Sequence, residues 1–186
     1  MGNEAVMHDM RKSMAFVDKA RPIIAGLLNG GYILSVEGDD NKVCKMLDMT
    51  CGTDYFQVYE NSGLVFGIAS RFQYGKNWAS FTVRKARQSG AVTEYEKRKK
   101  AIERGGIYPF LTMQAYIDEN SGEVNGLAIT KTTDLMRFVD AGLAYEQHTR
   151  QDKIGQAAFY VAYWDKMQSA GYTVLIYDSK QSRKTA

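Results

Sequence analysis

The sequence predicts an α/β (α+β) domain, a central mixed β-sheet flanked by helices, and three observations lead there. Short runs with period-two alternation of apolar and polar residues recur at 64–72, 79–84 and 111–117. Helical patterns at 4–28, 92–104 and 132–141 stand before and between those runs. The 186 residues, 45% hydrophobic and 24% charged, suffice for one sizeable core, and 17 glycines against two prolines indicate many turns and no rigid linker. The expected organisation is one domain over 1–186, with a helical segment at 1–31, a core at 32–178 and a frayed tail at 179–186.

The first helix, 4–28, carries Met7, Met10, Met14, Val17, Ile24 and Leu27 at helical spacing. Its methionine stripe suits either the core or the face of a homodimer. Pro22 is expected to kink or divide it, and Asn29-Gly30-Gly31 to end it. A strand follows at Tyr32–Val36, then a polar turn at Gly38–Asn41, then a strand or a helical turn at Val43–Met49. The stretch Asp48–Arg84 reads as a three-stranded meander, with Asp54 opening its first strand and Arg71 and Gln73 closing its second. Within it Leu64, Phe66, Ile68 and Phe72 share one face while Gly67, Ala69, Arg71 and Gln73 share the other.

Thr93 with Glu96 three residues on forms a capping-box pattern for the helix 92–104, which Gly105-Gly106 stops. Strands are expected at 111–117 and Leu127–Thr130, and a helix at Thr132–Ala141. A loop over 145–156 precedes a strand at Ala158–Trp164, a short helix at Asp165–Ala170 and a last strand at Tyr172–Tyr177.

Charge is unevenly spread. Residues 84–104 hold eight Lys/Arg, among them Arg84, Lys85, Arg87 and Lys97, against three Glu, in a chain whose net charge is only +3. Such a segment is either an electrostatic footprint for a polyanion or a solvated helix face. Cys44 and Cys51 lack a CxxC or matching His spacing, and His8 and His148 follow no ligand pattern, so zinc is not expected. The opening residues MGNEAVMHDMRKSMAF carry acids and no long apolar run, which predicts neither a signal peptide nor a membrane span and points to a cytoplasmic protein.

Two constellations carry chemistry. On the polar face of the meander Arg71, Gln73, Thr82 and Arg84, with Gln114 beside them, present the planar donors that suit phosphate oxygens, and the small Gly67 and Ala69 leave room for a ligand. The competing interpretation is an ordinary solvated sheet face. Asp54, after a Cys-Gly-Thr turn and six residues beyond Asp48, is either a Mg²⁺ ligand or a turn residue bonded to its own backbone. Tyr55, Tyr59, Tyr74 and Trp78 flank the same face, and Trp78 beside Lys76 is the aromatic best placed to stack on unpaired bases.

The segments LDMTCGTDY, ASRFQ and FTVR, followed by TEYEKRKKAI and later AAFYVAYWDKMQSAG, resemble the PD-(D/E)xK nuclease superfamily, in particular its phage and prophage members. The resemblance covers roughly 35–175 and implies a restriction-endonuclease-like core, DNA as partner and Mg²⁺ as cofactor. It places Asp54 at the metal-binding aspartate, Arg71 at the catalytic lysine and Ala69 where an acid or glutamine belongs. Ala69 removes a metal ligand, and Arg71 does not deprotonate readily enough to act as a base.

Two expectations follow. Either Glu94 or Glu96 on the next helix supplies the missing carboxylate, Asp54 and Glu94 hold Mg²⁺, and Arg71 or Lys97 stabilises phosphate charge. Or the fold hydrolyses nothing and binds nucleic acid or a host protein through Arg71, Gln73, Lys76, Trp78, Arg84, Lys85 and Arg87.

Overall fold

A computed structural model describes residues 18–36, 42, 47, 51–87, 89–148 and 157–182. In chain order these form helix α1 (18–27), strands β1 (Tyr32–Ser35), β2 (Tyr55–Tyr59), β3 (Leu64–Tyr74) and β4 (Ser80–Arg87), and helix α2 (Glu94–Glu103). Strands β5 (Leu111–Ile117) and β6 (Val124–Lys131) follow, then helix α3 (Thr132–Asp140) and strands β7 (Tyr145–His148) and β8 (Ala157–Tyr163). Helix α4 (Trp164–Ser169), strand β9 (Val174–Asp178) and helix α5 (Ser179–Ser182) complete the order.

All seven residues of β5 are buried, as a strand covered on both faces requires, and β5 lies inside a six-stranded sheet ordered β1-β2-β3-β5-β6-β9. The pairing of β3 with β5 is parallel and the other pairings are antiparallel, so the central sheet is mixed as expected. One face packs Ala20 and Ile24 of α1 onto Ile68, Met113, Leu127 and Ile129. The other packs Tyr116 and Ala128 against Phe81, Leu135, Phe138 and Trp164, from a three-stranded sheet β4-β8-β7 and from α3 and α4. The protein is thus an α+β molecule whose main sheet is covered on both sides.

The meander differs from expectation. It consists of β1, β2 and β3, whereas β4 leaves the sheet and pairs with β8. The free edge of β3 from Ile68 to Tyr74 is taken by β5 in parallel, an apolar strand that gains more by occupying the centre. The chain turns away between the two strands at Ala79, which has φ 49 and whose N–H is held by the Asn77 side chain at 2.9 Å. Ser80 therefore begins a second layer, anchored where Tyr116 Oη donates to the Ser80 carbonyl at 2.9 Å.

Other boundaries shift as well. The helix runs unbroken through Pro22, with Leu28 N–H donating to the Ile24 carbonyl at 2.9 Å. Residues 145–148 of the expected loop form β7, paired with β8, and Ser179–Ser182 of the expected frayed tail form a helical turn. Strand β6 begins at Val124 and extends to Lys131, beyond the expected Leu127–Thr130. Met7, His8, Met10, Met14, Cys44, Asp48 and the turn at Gly38–Asn41 lie outside the described residues. Of the stretch 43–49 only Leu47 is described, and it sits in a helical turn.

Candidate nucleic-acid interface

Helix α2 begins with the full capping box. Thr93 accepts from the Glu96 amide while Glu96 Oε2 accepts from the Thr93 N–H at 2.8 Å and hydroxyl at 2.9 Å. That geometry removes Glu96 from the site. It also aims Glu94, in the first turn, back over the main sheet.

Glu94 is the hub of a cationic seam. Its Oε1 accepts from Arg71 Nη2 of β3 at 2.8 Å, and its Oε2 accepts weakly from the Arg84 amide of β4 at 3.4 Å. Burial alone pushes the Glu94 carboxyl up, but Arg71, then Arg98 and Arg84, outweigh it and hold the pKa below the ordinary carboxylate value. Arg71 also donates to Thr82 Oγ1 at 3.1 Å, and Thr82 in turn donates to Gln114 Oε1 at 3.1 Å. The predicted set Arg71, Gln73, Thr82, Arg84 and Gln114 therefore does converge, although across two stacked layers and not across one sheet.

Asp54 lies just before β2, its backbone N–H donating to the Ile68 carbonyl at 2.9 Å, and its Oδ2 accepts from the backbone and hydroxyl of Ser70. Asp54, Ser70, Glu94, Lys97, Arg98 and Arg87 line one cavity of about 190 Å³. Arg98, which the sequence reading passed over as a site residue, is only 8% exposed. Burial lowers its pKa, while Glu94 and Asp54 pull it back up. The signal for it was present: Arg98 follows Glu94 by four residues, on the same helix face.

The other predicted residues divide. Arg84 stacks with its guanidinium carbon 5.5 Å from the Phe159 ring centroid, and its buried Nε makes no hydrogen bond among the described residues. Trp78 is 51% exposed, with Lys76 Nζ 4.3 Å over its ring. Lys85 points to the other side of β4, paired with Glu146 at 2.6 Å, so its charge is already answered. The room expected above Gly67 is filled: a Cβ there would meet Thr53 at 3.1 Å and Pro109 at 3.4 Å. Ala69 is 2% exposed and equally closed to a ligand.

Open space lies instead between β3 and the small sheet. Arg71, Gln73, Arg84, Gln147, His148 and Phe159 line a depression of about 430 Å³. Strand β7 supplies Gln147 and His148, and the polar YEQH run gave no apolar periodicity from which to expect a strand.

A Mg²⁺ site needs one or two carboxylates with oxygens to spare for the metal, its remaining positions filled by water and substrate phosphate. Here both Glu94 oxygens and Asp54 Oδ2 already accept protein donors. Buried Arg98 lines the same cavity, and both acids offset part of the lowering that burial imposes on its pKa. Among the described residues no three His, Cys, Asp or Glu side chains gather as a metal-ligand group. The donor set does not fit a divalent cation. Five cations (Arg71, Arg84, Arg87, Lys97 and Arg98) against two carboxylates suit an anion.

Among the described residues no helix is long and apolar enough to cross a membrane. No family model, curated protein or solved structure matches the chain.

Proposed function

We propose that the protein binds nucleic acid, DNA in the first instance, as a nuclease-like module that grips phosphates and does not cleave them. The observation that carries this reading is the excess of five cations over two carboxylates lining a cavity and a neighbouring groove, which the Arg71–Glu94 pair links. Arg84 supports it further: its half-buried guanidinium lines the groove against the Phe159 ring, and its planar donors suit phosphate oxygens. The run β1-β2-β3, then α2, then β5 parallel to β3 supports a restriction-endonuclease-like core of phage type, with Asp54 and Glu94 at its polar end.

Fluorescence anisotropy with a labelled oligonucleotide tests the reading. Binding is expected at 50 mM salt and to weaken as salt rises, with a log–log slope of about −2 to −3 for three neutralised phosphates. Arg87→Ala with Lys97→Ala should weaken binding roughly tenfold and cut the slope by about 1–2. No binding at low salt would overturn the proposal and leave a protein partner as the reading.

A second reading, metal-assisted phosphodiester hydrolysis, is favoured by one observation: Asp54 and Glu94 reach the same cavity together with Lys97. Because the donor set does not fit the metal, supercoiled plasmid incubated with Mg²⁺ or Mn²⁺ should remain intact. Nicking by the wild type that disappears in Asp54→Ala and Glu94→Ala would replace the binding reading with this one.

A further inference from the structure

Resting on the nucleic-acid reading, we propose that the groove is built for a single strand and holds its unpaired bases between Trp78 and Tyr145. The Arg71–Arg84 depression is continuous with a second one of about 360 Å³, the two sharing Gln73, Thr82 and Gln147. The size falls within the roughly 300–1,000 Å³ of small-ligand sites. What lines it changes along its length. The arginine end offers charge, while the far end offers Trp78, Tyr145 and Tyr163.

These aromatics come from three separate elements: the β3–β4 connection, β7 and the end of β8. Trp78 is 51% exposed and Tyr145 is 59% exposed, unusual values for rings that merely fill a core. Tyr145 is buttressed edge-on by Tyr163 at 5.5 Å, which fixes its ring plane without covering it. The amides of Gln73 and Gln147 line the same depression and offer donors to a base edge, although Gln73 Oε1 already accepts from Gln114 Nε2 at 3.5 Å. Lys76 over Trp78 adds a cation where the strand would pass.

This arrangement selects against duplex. Paired bases are stacked on one another and present neither ring face nor Watson–Crick edge, so a duplex can use only the arginine end. A single strand uses both ends at once, phosphates on arginine and bases on rings.

The chain has two tryptophans, and Trp164 is 2% exposed, so ligand-dependent quenching of tryptophan emission reports Trp78. Titration with a dT15 oligonucleotide, a 15-base-pair duplex and inorganic polyphosphate should give quenching with dT15 alone, and affinity for dT15 at least fivefold above that for duplex. Trp78→Phe should abolish the quenching, and Tyr145→Ala should weaken dT15 binding about tenfold while leaving its salt slope unchanged. Equal affinity for strand and duplex, or for polyphosphate, without quenching would overturn the stacking groove and leave the phosphate-binding reading standing. Absence of binding to all three would overturn both.

Discussion

Trp164→Ala is expected to destabilise the protein by about 3–5 kcal/mol, the range for deleting a large buried aromatic. Trp164 is 2% exposed and sits where the two layers meet, 6.1 Å from Phe81 of β4 and 5.8 Å from Tyr116 of β5 between ring centroids. Its backbone N–H also donates to the Ala79 carbonyl at 2.8 Å, tying the start of α4 to the turn from which β4 departs. For a chain of this length the loss corresponds to a fall in Tm of roughly 6–20 °C, against a total stability of about 5–15 kcal/mol. Trp164→Phe separates packing from polarity. The indole Nε1 is buried with no hydrogen-bond partner among the described residues, so phenylalanine loses ring area but also removes an unsatisfied donor. The phenylalanine variant should therefore cost clearly less than the alanine one. Urea unfolding at pH 7 checks both, and equal losses in the two variants would show that a smaller ring recovers none of the packing that Trp164 provides.

The same layer junction explains which parts of the fold were legible in the sequence. Period-two alternation in 64–72 and 79–84 revealed the strands β3 and β4 and the residues sharing their polar faces. It could not reveal that β4 lies over β3 and not beside it, because alternation encodes which side chains share a face and not which strand supplies the hydrogen-bonding edge. That choice was made by β5, whose Leu111–Ile117 run competes for the β3 edge with far more apolar area than Ser80–Arg87 offers. Stacking preserved the predicted contacts among Arg71, Thr82 and Gln114 even though the assumed geometry differed.

Turn chemistry was the most readable layer. Thr93 and Glu96 formed the capping box that their spacing predicted, and closing it left Glu94 as the carboxylate free to face the site. Strand β7 was not readable: Tyr145, Glu146, Gln147 and His148 are all exposed, so no buried face imprinted a pattern on them. Arg98 was legible only in part. Its four-residue step from Glu94 puts the two on one helix face, but a run of cations does not show which arginine is buried, and Asp54 is brought to the pair only by the fold.

Glu94→Gln is expected to have the largest effect of any change in the seam, because one carboxylate balances Arg71, Arg84 and Arg98. With side chains 24% and 30% exposed, the Arg71–Glu94 pair lies between a surface pair, worth about 0–1 kcal/mol, and a buried one whose breaking costs about 3–5 kcal/mol. A loss of about 2 kcal/mol at pH 7 is the expected value. The sign with pH follows from the direction of the shift. The folded-state pKa of Glu94 is depressed, so its contribution is fully present above the unfolded value of about 4.3 and is lost as pH falls through the lower folded value. The difference between wild type and Glu94→Gln should therefore stay constant from about pH 5 to 8 and shrink below about pH 4, as read by urea unfolding at each pH. A difference that persisted undiminished at pH 3 would mean that the carboxylate charge is not what Glu94 contributes. The same variant divides the two functional readings in opposite directions. If the seam binds phosphate, neutralising Glu94 releases Arg71 and Arg84, so binding to an oligonucleotide should tighten and its salt slope should steepen by about 1. If the seam hydrolyses phosphodiesters, losing the carboxylate must abolish cleavage whatever happens to binding.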